Sequence, residues 1–434
     1  MCHNTRMKQH LLTIACGLFA VASLAIEIPG KKIYIPRDLR GNDFESDSAQ
    51  WSYSRMALTD NFVIFWEKGF GKDINNPPRL EGRPMRVDIE NMKQKLERFY
   101  QFYRDTLQFI GAGSNADKYR MMVMINYSLE GTAYGGDYDE VIGAFWSAPN
   151  RLQDMPLNTV AHELGHSFQM QVHCDRKVQA KMRGERLERW SGGGFFEMTS
   201  QWMLWHVNPN WVRDELYHWD AYRRTPHKAF LHWENIYHSP YVLEWWSQNY
   251  GLEVIGNIYK EGKGHESPVE VLMRLTKMNA SQFNDNLFEA HRHTIFLDFK
   301  HARNETRPFA GNWPQLPEAG APEPGGFDAR KLPVPNRGKR IKVEFQGHTE
   351  DANEGWRYGF VALMDDGTCQ YSPIYKKGRA RVSYKAPKDK AVRELYLVVM
   401  NAPQNWPLPP SRRHDEEPRK TSSYEIRVTT GDQP

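Results

Sequence analysis

Cysteine is scarce in this sequence. Four cysteines occur in 434 residues, and two of them, Cys2 and Cys16, fall within the first 25. The other two, Cys174 and Cys369, cannot build the dense disulfide framework that stabilises many small exported domains. We therefore expect stability to come from apolar cores, and the 40% content of hydrophobic residues is ordinary for a globular protein.

An excess of charge and long apolar segments are also lacking. Lys and Arg number 57 against 53 Asp and Glu, which gives a formal net charge of +4 and excludes nucleic-acid binding by bulk electrostatics. After residue 25, no segment approaches the roughly 18 continuous apolar residues of a transmembrane helix. No nucleic-acid partner and no transmembrane segment are therefore expected.

The first 25 residues have the pattern of a signal peptide. Arg6 and Lys8 precede an apolar run over residues 11–24, and Ala25 completes a Ser-Leu-Ala cleavage site. The sequence therefore predicts export, with the mature chain in the periplasm, at the cell surface or outside the cell.

The remaining chain predicts two folded parts joined by a segment rich in Pro and Gly. Residues 26–307 contain strand-like runs at 61–66, 121–125 and 141–146 and a helical pattern at 89–109. From about residue 157 the pattern indicates helices almost throughout. We therefore expect an α+β domain with a largely helical second half. Residues 308–337 are crowded with Pro and Gly and predict a linker or strap. Five short alternating segments in residues 338–434 predict an all-β sandwich.

A His-Glu-x-x-His motif lies at residues 162–166. At about 100° per residue, His166 lies about 40° round a helix from His162 and one turn along, so both imidazoles can bind one Zn²⁺ ion. Glu163 lies on the flank, where it can act as general base on an activated water without ligating the ion. The opposite side of the helix carries an apolar stripe of Leu157, Val160, Ala161, Leu164 and Phe168.

The third zinc ligand has to come from another segment. A metzincin would carry Gly at position 169 and His at 172, but the chain has Gln169 and Val172, so that class is excluded. A glutamate on a downstream helix remains, with Glu185, Glu188 and Glu197 as candidates. The first two lie in a charged run that is typical of a solvated face, whereas Glu197 is the lone acid of an apolar helix. We therefore predict Glu197 as the ligand.

A donor for the transition state is expected opposite Glu163. Aromatic and His side chains cluster before a helical segment that begins near residue 243, and we predict His238 and Tyr241 as candidates. The cluster consists of His232, Tyr237, His238 and Tyr241. Two glutamines are also expected at the site: Gln169 faces it on the motif helix, and Gln201 lies where a residue can orient a ligating His.

Residues 162–169, His-Glu-Leu-Gly-His-Ser-Phe-Gln, resemble the HExGHxxQ signature of the M60 (enhancin-like) gluzincins. A broader resemblance links residues 61–66, 355–361 and 397–403 to the Svx/AvrXca-type family of exported bacterial virulence and avirulence proteins. These resemblances imply a gluzincin-type zinc metallopeptidase with a zincin-like catalytic domain followed by a β-sandwich, acting on protein or glycoprotein substrates.

Two functions are compatible with these patterns. The first is an exported zinc metallopeptidase in which His162, His166 and Glu197 hold the metal and Glu163 is the base. The alternative is a catalytically silent zincin-like protein that binds carbohydrate or another surface, with glycan contact through the C-terminal sandwich. The intact Glu163 favours the first, because the general base has no role in a silent site.

Overall fold

The computed structural model describes residues 30–188, 190, 192–314, 321–349, 353–406 and 420–430, so the predicted signal peptide lies outside the described residues. The helices within these ranges are α1 Ile89–Gln101, α2 Asn158–Met182, α3 Phe195–Val207, α4 Trp211–Asp214, α5 Leu216–Tyr222, α6 Tyr241–Tyr250, α7 Glu253–Glu261, α8 Pro268–Thr276, α9 Ala280–Thr294 and α10 Arg303–Thr306. The strands are β1 Met56–Leu58, β2 Phe62–Trp66, β3 Met121–Ile125, β4 Tyr134–Tyr138, β5 Ile142–Ser147, β6 Phe327–Lys331, β7 Arg340–Gly347, β8 Trp356–Met364, β9 Cys369–Tyr371, β10 Arg379–Lys385, β11 Val392–Asn401 and β12 Tyr424–Thr430. Within the described ranges, no helix is both long and apolar enough to span a membrane.

The N-terminal half is built on a five-stranded mixed sheet with the order β1-β2-β3-β5-β4. The central pairs β2–β3 and β3–β5 are parallel, whereas β1 and β4 run antiparallel at the edges. Every residue of β2 and β3 is buried, as expected for parallel strands covered on both faces. The sheet thus ends in the edge strand β4, which runs beside α2.

Helix α2 is the central element of this half. It packs against β4 and β5 on one side and against α3 on another. The apolar stripe predicted for this helix is completely buried: Leu157, Val160, Ala161, Leu164 and Phe168 are all at most 1% exposed. Burial of this stripe fixes the helix so that its other side faces a cavity.

The C-terminal part contains two antiparallel sheets. One has the order β10-β7-β12 and the other the order β6-β11-β8-β9. Their facing side chains form a core around Val343, Phe345 and Tyr358, with Leu397 and Val399 from β11. The two sheets therefore pack face to face, and all five strands expected from the alternating segments are present.

The outer face of the four-stranded sheet continues the core of the N-terminal part. Tyr396, Val398 and Met400 alternate with the residues of β11 that face the sandwich, and they belong to the larger core instead. Helix α9 lies on this face, where Arg357 of β8 bonds to Asp285. Strand β6 falls inside residues 308–337, for which the sequence predicts a linker or strap, and it pairs with β11. The Pro and Gly residues flank this strand and do not interrupt it.

The local elements agree with the sequence at several other points. Strands β2, β3 and β5 coincide with the runs expected at 61–66, 121–125 and 141–146. The helix expected over 89–109 is α1 followed by a π-helical turn at Phe102–Thr106, so it ends three residues early. The molecule is a mixed α/β protein, as expected. Among the described residues, no disulfide joins Cys174 and Cys369, of which the first is buried and the second half-buried.

Candidate metal centre

Three side chains from two helices converge on one point. α2 carries His162 and His166, and α3 carries Glu197 in its first turn. The Nε2 atoms of the two histidines are 3.1 Å apart, and Glu197 Oε2 lies 3.2 Å from the first and 3.0 Å from the second. Three ligand atoms therefore form an almost equilateral triangle, and this is the one such His/Cys/Asp/Glu group found among the described residues.

The triangle fits zinc. Tetrahedral Zn²⁺ binds imidazole nitrogen and carboxylate oxygen at about 2.0–2.2 Å, which separates neighbouring ligand atoms by about 3.3–3.5 Å. The distances of 3.0–3.2 Å are slightly shorter than that. Two nitrogens and one oxygen are also the ligand set of catalytic zinc sites that keep a fourth position open.

Two glutamines orient the histidine rings. Gln201 Nε2 donates to the carbonyl of Tyr237 at 3.0 Å, so its Oε1 faces His162 Nδ1 at 3.2 Å. Gln169 Nε2 donates to the carbonyl of Phe196 at 3.0 Å, and its Oε1 faces His166 Nδ1 at 3.0 Å. Because an amide oxygen only accepts, each Nδ1 carries the proton and each Nε2 keeps its lone pair for a metal.

Electrostatics favour an ionised Glu197. Burial by itself raises the pKa of this carboxyl. Without a metal, the imidazoles of His162 and His166 can carry a proton on Nε2 and donate it to Glu197, and these contacts outweigh burial and hold the pKa of Glu197 well below the usual range. For His166, burial lowers the pKa, whereas the bond to Glu197 raises it, and the net direction is upward. The carboxylate is thus charged and ready to ligate over the ordinary pH range.

The triangle lies in the wall of a cavity of about 650 Å³. Glu163 lines the same cavity and is only 7% exposed. The rest of the wall comes from the segment 131–135 at β4, from α3 and from the segment 215–218 with Tyr237. The base predicted from the motif and the three predicted ligands therefore share one cavity.

The edge strand β4 approaches α2 very closely. A Cβ at Gly135 would clash with the carbonyl oxygen of Glu163 and would lie 2.6 Å from Cβ of His166. Only a residue without a side chain allows this contact, which places the strand directly beside the histidines. The other long edge of β4 has no described partner strand.

The two predicted transition-state donors are not at the cavity. Tyr241 is fully buried in an aromatic core with Trp205, Trp219 and Tyr222, and its hydroxyl has no hydrogen-bond partner among the described residues. This corrects the expectation for Tyr241: as the first residue of α6 it points inward.

His238 lies one hydrogen bond behind the cavity wall. Its Nδ1 is 2.6 Å from Nδ1 of His218, which lines the cavity. Burial lowers the pKa of His238 to about 4, so it is neutral at neutral pH. This expectation is corrected too, because His238 is placed to orient His218 and is absent from the wall itself.

Three residues that the sequence does not predict as donors line the cavity where a transition-state donor is expected, which we call the donor side. Tyr217, His218 and Tyr237 all line the cavity, and the ring of Tyr237 stacks at 6.2 Å from that of His162. Tyr237 belongs to the cluster recognised in the sequence, in which His238 and Tyr241 are the predicted donors. Nothing in the local pattern of Tyr217 and His218 indicates a site, because tertiary packing brings α5 to the cavity.

The rejected ligand candidates lie on the surface. Glu185 is exposed and pairs with Arg183 at 2.9 Å, and Glu188 is exposed as well. Neither belongs to the ligand triangle.

The family model described as "Family of unknown function (DUF6055)" matches residues 25–433, so the chain belongs to this family. This match does not support the resemblance to the Svx/AvrXca-type family. None of the curated proteins matches the chain.

Among solved structures, the chain is similar to the ZmpB metallopeptidase from Clostridium perfringens, with 13% identity and a TM-score of 0.31 over 82% of this chain and 68% of that chain. Two structures of the M60 catalytic domain of ZmpB from the same organism, joined to CBM32 or CBM51 domains, match at 13% identity with TM-scores of 0.31 and 0.34. Each of these two matches covers 82% of this chain, and they cover 36% and 37% of the ZmpB chains. These scores are too low to establish a shared activity.

Proposed function

We propose that this member of the DUF6055 family is a zinc-dependent metallopeptidase acting on protein or glycoprotein substrates. One observation carries the proposal: His162, His166 and Glu197 present three ligand atoms 3.0–3.2 Å apart in a cavity that Glu163 also lines. A bound zinc ion would supply Lewis acidity, lowering the pKa of a water molecule and polarising a carbonyl.

The proposed role of Glu163 is proton transfer. Its carboxylate follows His162 directly on α2, so it lies on the flank of the ligand pair. From there it accepts the proton of the attacking water and passes it to the leaving amine, a contribution typically worth about 10²–10⁴-fold in rate.

The proposed donor to the developing oxyanion is Tyr237. It lines the cavity, its ring stacks on His162, and its backbone carbonyl fixes the amide of Gln201. A phenol hydroxyl in this position can donate a hydrogen bond to charge that develops on the substrate oxygen. Its own backbone thus helps to orient the ligand beside which its side chain acts.

The cavity favours an extended peptide over a small molecule. Tyr134 and Gly135 of β4 line it, and β4 is the last strand of its sheet among the described residues. The backbone amides and carbonyls of such an edge can bind a substrate chain as an added strand. Export by the signal peptide predicted at residues 1–25 would bring the site to extracellular proteins.

A cleavage assay tests this function. Purified protein is incubated with a panel of casein, matrix protein and mucin, with and without a chelator, next to the Glu163→Gln variant. We expect chelator-sensitive cleavage by the wild type and a rate at least about 10²-fold lower for the variant, with zinc content unchanged. Cleavage that survives both the chelator and the substitution would contradict the proposal.

A further inference from the structure

The outer face of the sheet β10-β7-β12, which is distant in sequence from the ligand triangle, carries more positive than negative side chains. The pairing places the outward residues of all three strands in register across the sheet. We call these eight charged side chains the basic face: Arg340, Lys342, Arg379, Arg381, Lys385 and Arg427, with Glu344 and Glu425. Six cations against two acids leave a surplus of four, as large as the formal net charge of the whole chain.

The stability of the sheet accounts for only part of this pattern, in which Glu344 lies opposite both Arg381 and Arg427. Lys385 lies directly opposite Arg340, and like charges facing each other across an antiparallel pair are destabilising. Lys342 faces Ser383 on one side and Thr429 on the other, so no acid is opposite it. Among the described residues, one ion pair joins two members of the basic face.

That pair is Arg381 with Glu344, whose atoms are 2.8 Å apart and whose side chains are 84% and 45% exposed. An exposed pair of this kind contributes at most about 1 kcal/mol. Most of the cations are therefore left to the solvent or to a ligand.

The shape of the basic face selects the kind of ligand. A groove of about 430 Å³ has Glu344 and Gln346 on its floor, with Arg379 and Arg381 on one side and Arg427 and Glu425 on the other, so three arginines line it against two acids. Neighbouring strands lie about 4.8 Å apart, so the two edge strands are about 10 Å apart, enough for one extended chain and too narrow for a double helix.

The residue types on the basic face further limit the classes of ligand that it can bind. Its outward positions carry no aromatic side chain, and stacking platforms are what single-stranded nucleic acids require. They also carry no large apolar side chain that could enter a lipid surface. Four of the six cations are arginines, whose planar guanidinium groups bind carboxylate and sulfate groups in a bidentate manner.

We propose that the basic face binds a single-chain acidic polysaccharide through its carboxylate or sulfate groups. The chain lies along β7, between the arginines of β10 and the arginine of β12. Because the binding depends on exposed charges, its affinity falls as salt screens them. The site is separate from the zinc site and does not depend on the proposed peptidase activity.

Heparin, a sulfated and carboxylated polysaccharide, is the probe for the test. Binding is measured by calorimetry with the full-length chain, with the triple variant Arg379→Gln, Arg381→Gln, Arg427→Gln, and with a control of equal charge change. The control replaces three exposed arginines outside the face, Arg83→Gln, Arg86→Gln and Arg183→Gln. We expect the triple variant to bind at least about 10-fold more weakly and the control to stay within about 2-fold of the wild type, with wild-type affinity falling steeply between low and about 300 mM salt.

A second variant changes affinity in the opposite direction. Glu344→Gln removes the acid from the floor of the groove and frees Arg381, so heparin should bind more tightly, which loss of folding cannot mimic. The proposal is overturned if the wild type does not bind heparin at low salt, or if the triple variant binds as the control does. Tighter binding of single-stranded DNA or of anionic phosphatidylserine vesicles than of heparin would overturn it as well.

Discussion

Two glutamines on α2, two residues apart, have different roles. Gln169 accepts from His166 Nδ1, whereas Gln171 accepts from the backbone N–H of Gly143 at 2.8 Å and donates to Asp175. Gln169→Leu should weaken zinc affinity by about 10–100-fold, because a ligating histidine loses the partner that fixes its tautomer. Competition with a zinc-binding dye measures this change.

Gln171→Leu is the matched control. The residue is equally buried and lies on the same helix, but its amide supports β5. Its loss should lower the free energy of unfolding by about 1–3 kcal/mol and leave zinc affinity unchanged. Equal zinc affinity in the two variants would show that the Gln169 bond does not orient His166.

The close contact between β4 and α2 should make the stability of the protein sensitive to any side chain added at Gly135. Gly135→Ala places a methyl group against the carbonyl of Glu163 and Cβ of His166, which forces the strand away from the helix. We expect a loss of about 1–3 kcal/mol in the free energy of unfolding, measured by urea denaturation, together with weaker zinc binding.

The neighbouring glycine provides the control. A Cβ at Gly136 would lie 3.5 Å from the ring of Trp146, an ordinary van der Waals distance. Gly136→Ala should therefore change the free energy of unfolding by no more than about 0.5 kcal/mol. If both variants behaved alike, the site would not depend on the close approach of β4.

Sequence reasoning succeeded where the signal lies within one element. The apolar stripe of α2, the five alternating strands and the lone acid of α3 are all local patterns, and the structure brings Glu197 to the two histidines. Strand β6 was missed because it lies in the Pro- and Gly-rich segment predicted as a linker, and β9 was missed because three residues are too few to show alternation. The residues on the donor side were missed because they lie in α5 and in the loop after it, and tertiary packing alone brings both segments to the cavity.

The junction between α9 and the C-terminal sheets makes the two halves one structure. Arg357 bonds to Asp285, Asn284 donates to the carbonyl of Pro403 at 2.6 Å, and His291 contacts the carbonyl of Gly325 at 3.0 Å. The larger core runs through this junction. We therefore expect α9 and the C-terminal sheets to unfold together.

His291 makes the stability of that unit depend on pH. Burial lowers the pKa of His291 from 6.5 to about 3, against the smaller raising effect of its bond to Gly325. The unfolded chain therefore binds the proton first, and stability that is present above pH 6.5 is lost as the pH falls towards 3.

His291→Gln should remove this contribution and keep a hydrogen-bond donor. Between about pH 7 and 5 the wild type should lose about 2 kcal/mol more of its free energy of unfolding than the variant does. Urea unfolding at both pH values measures the difference. An equal loss in the two proteins would show that His291 is charged in the folded state.

The central claim is that His162, His166 and Glu197 together hold one zinc ion. The most direct test is zinc per chain, measured by mass spectrometry of metals after dialysis, for the wild type, for Glu197→Gln and for Glu185→Gln. We predict one zinc per chain in the wild type and in Glu185→Gln, because Glu185 is a surface residue paired with Arg183. Glu197→Gln should lose its zinc, because the carboxylate of the ligand triangle is gone. Full zinc in Glu197→Gln, or its loss in Glu185→Gln, would contradict the assignment.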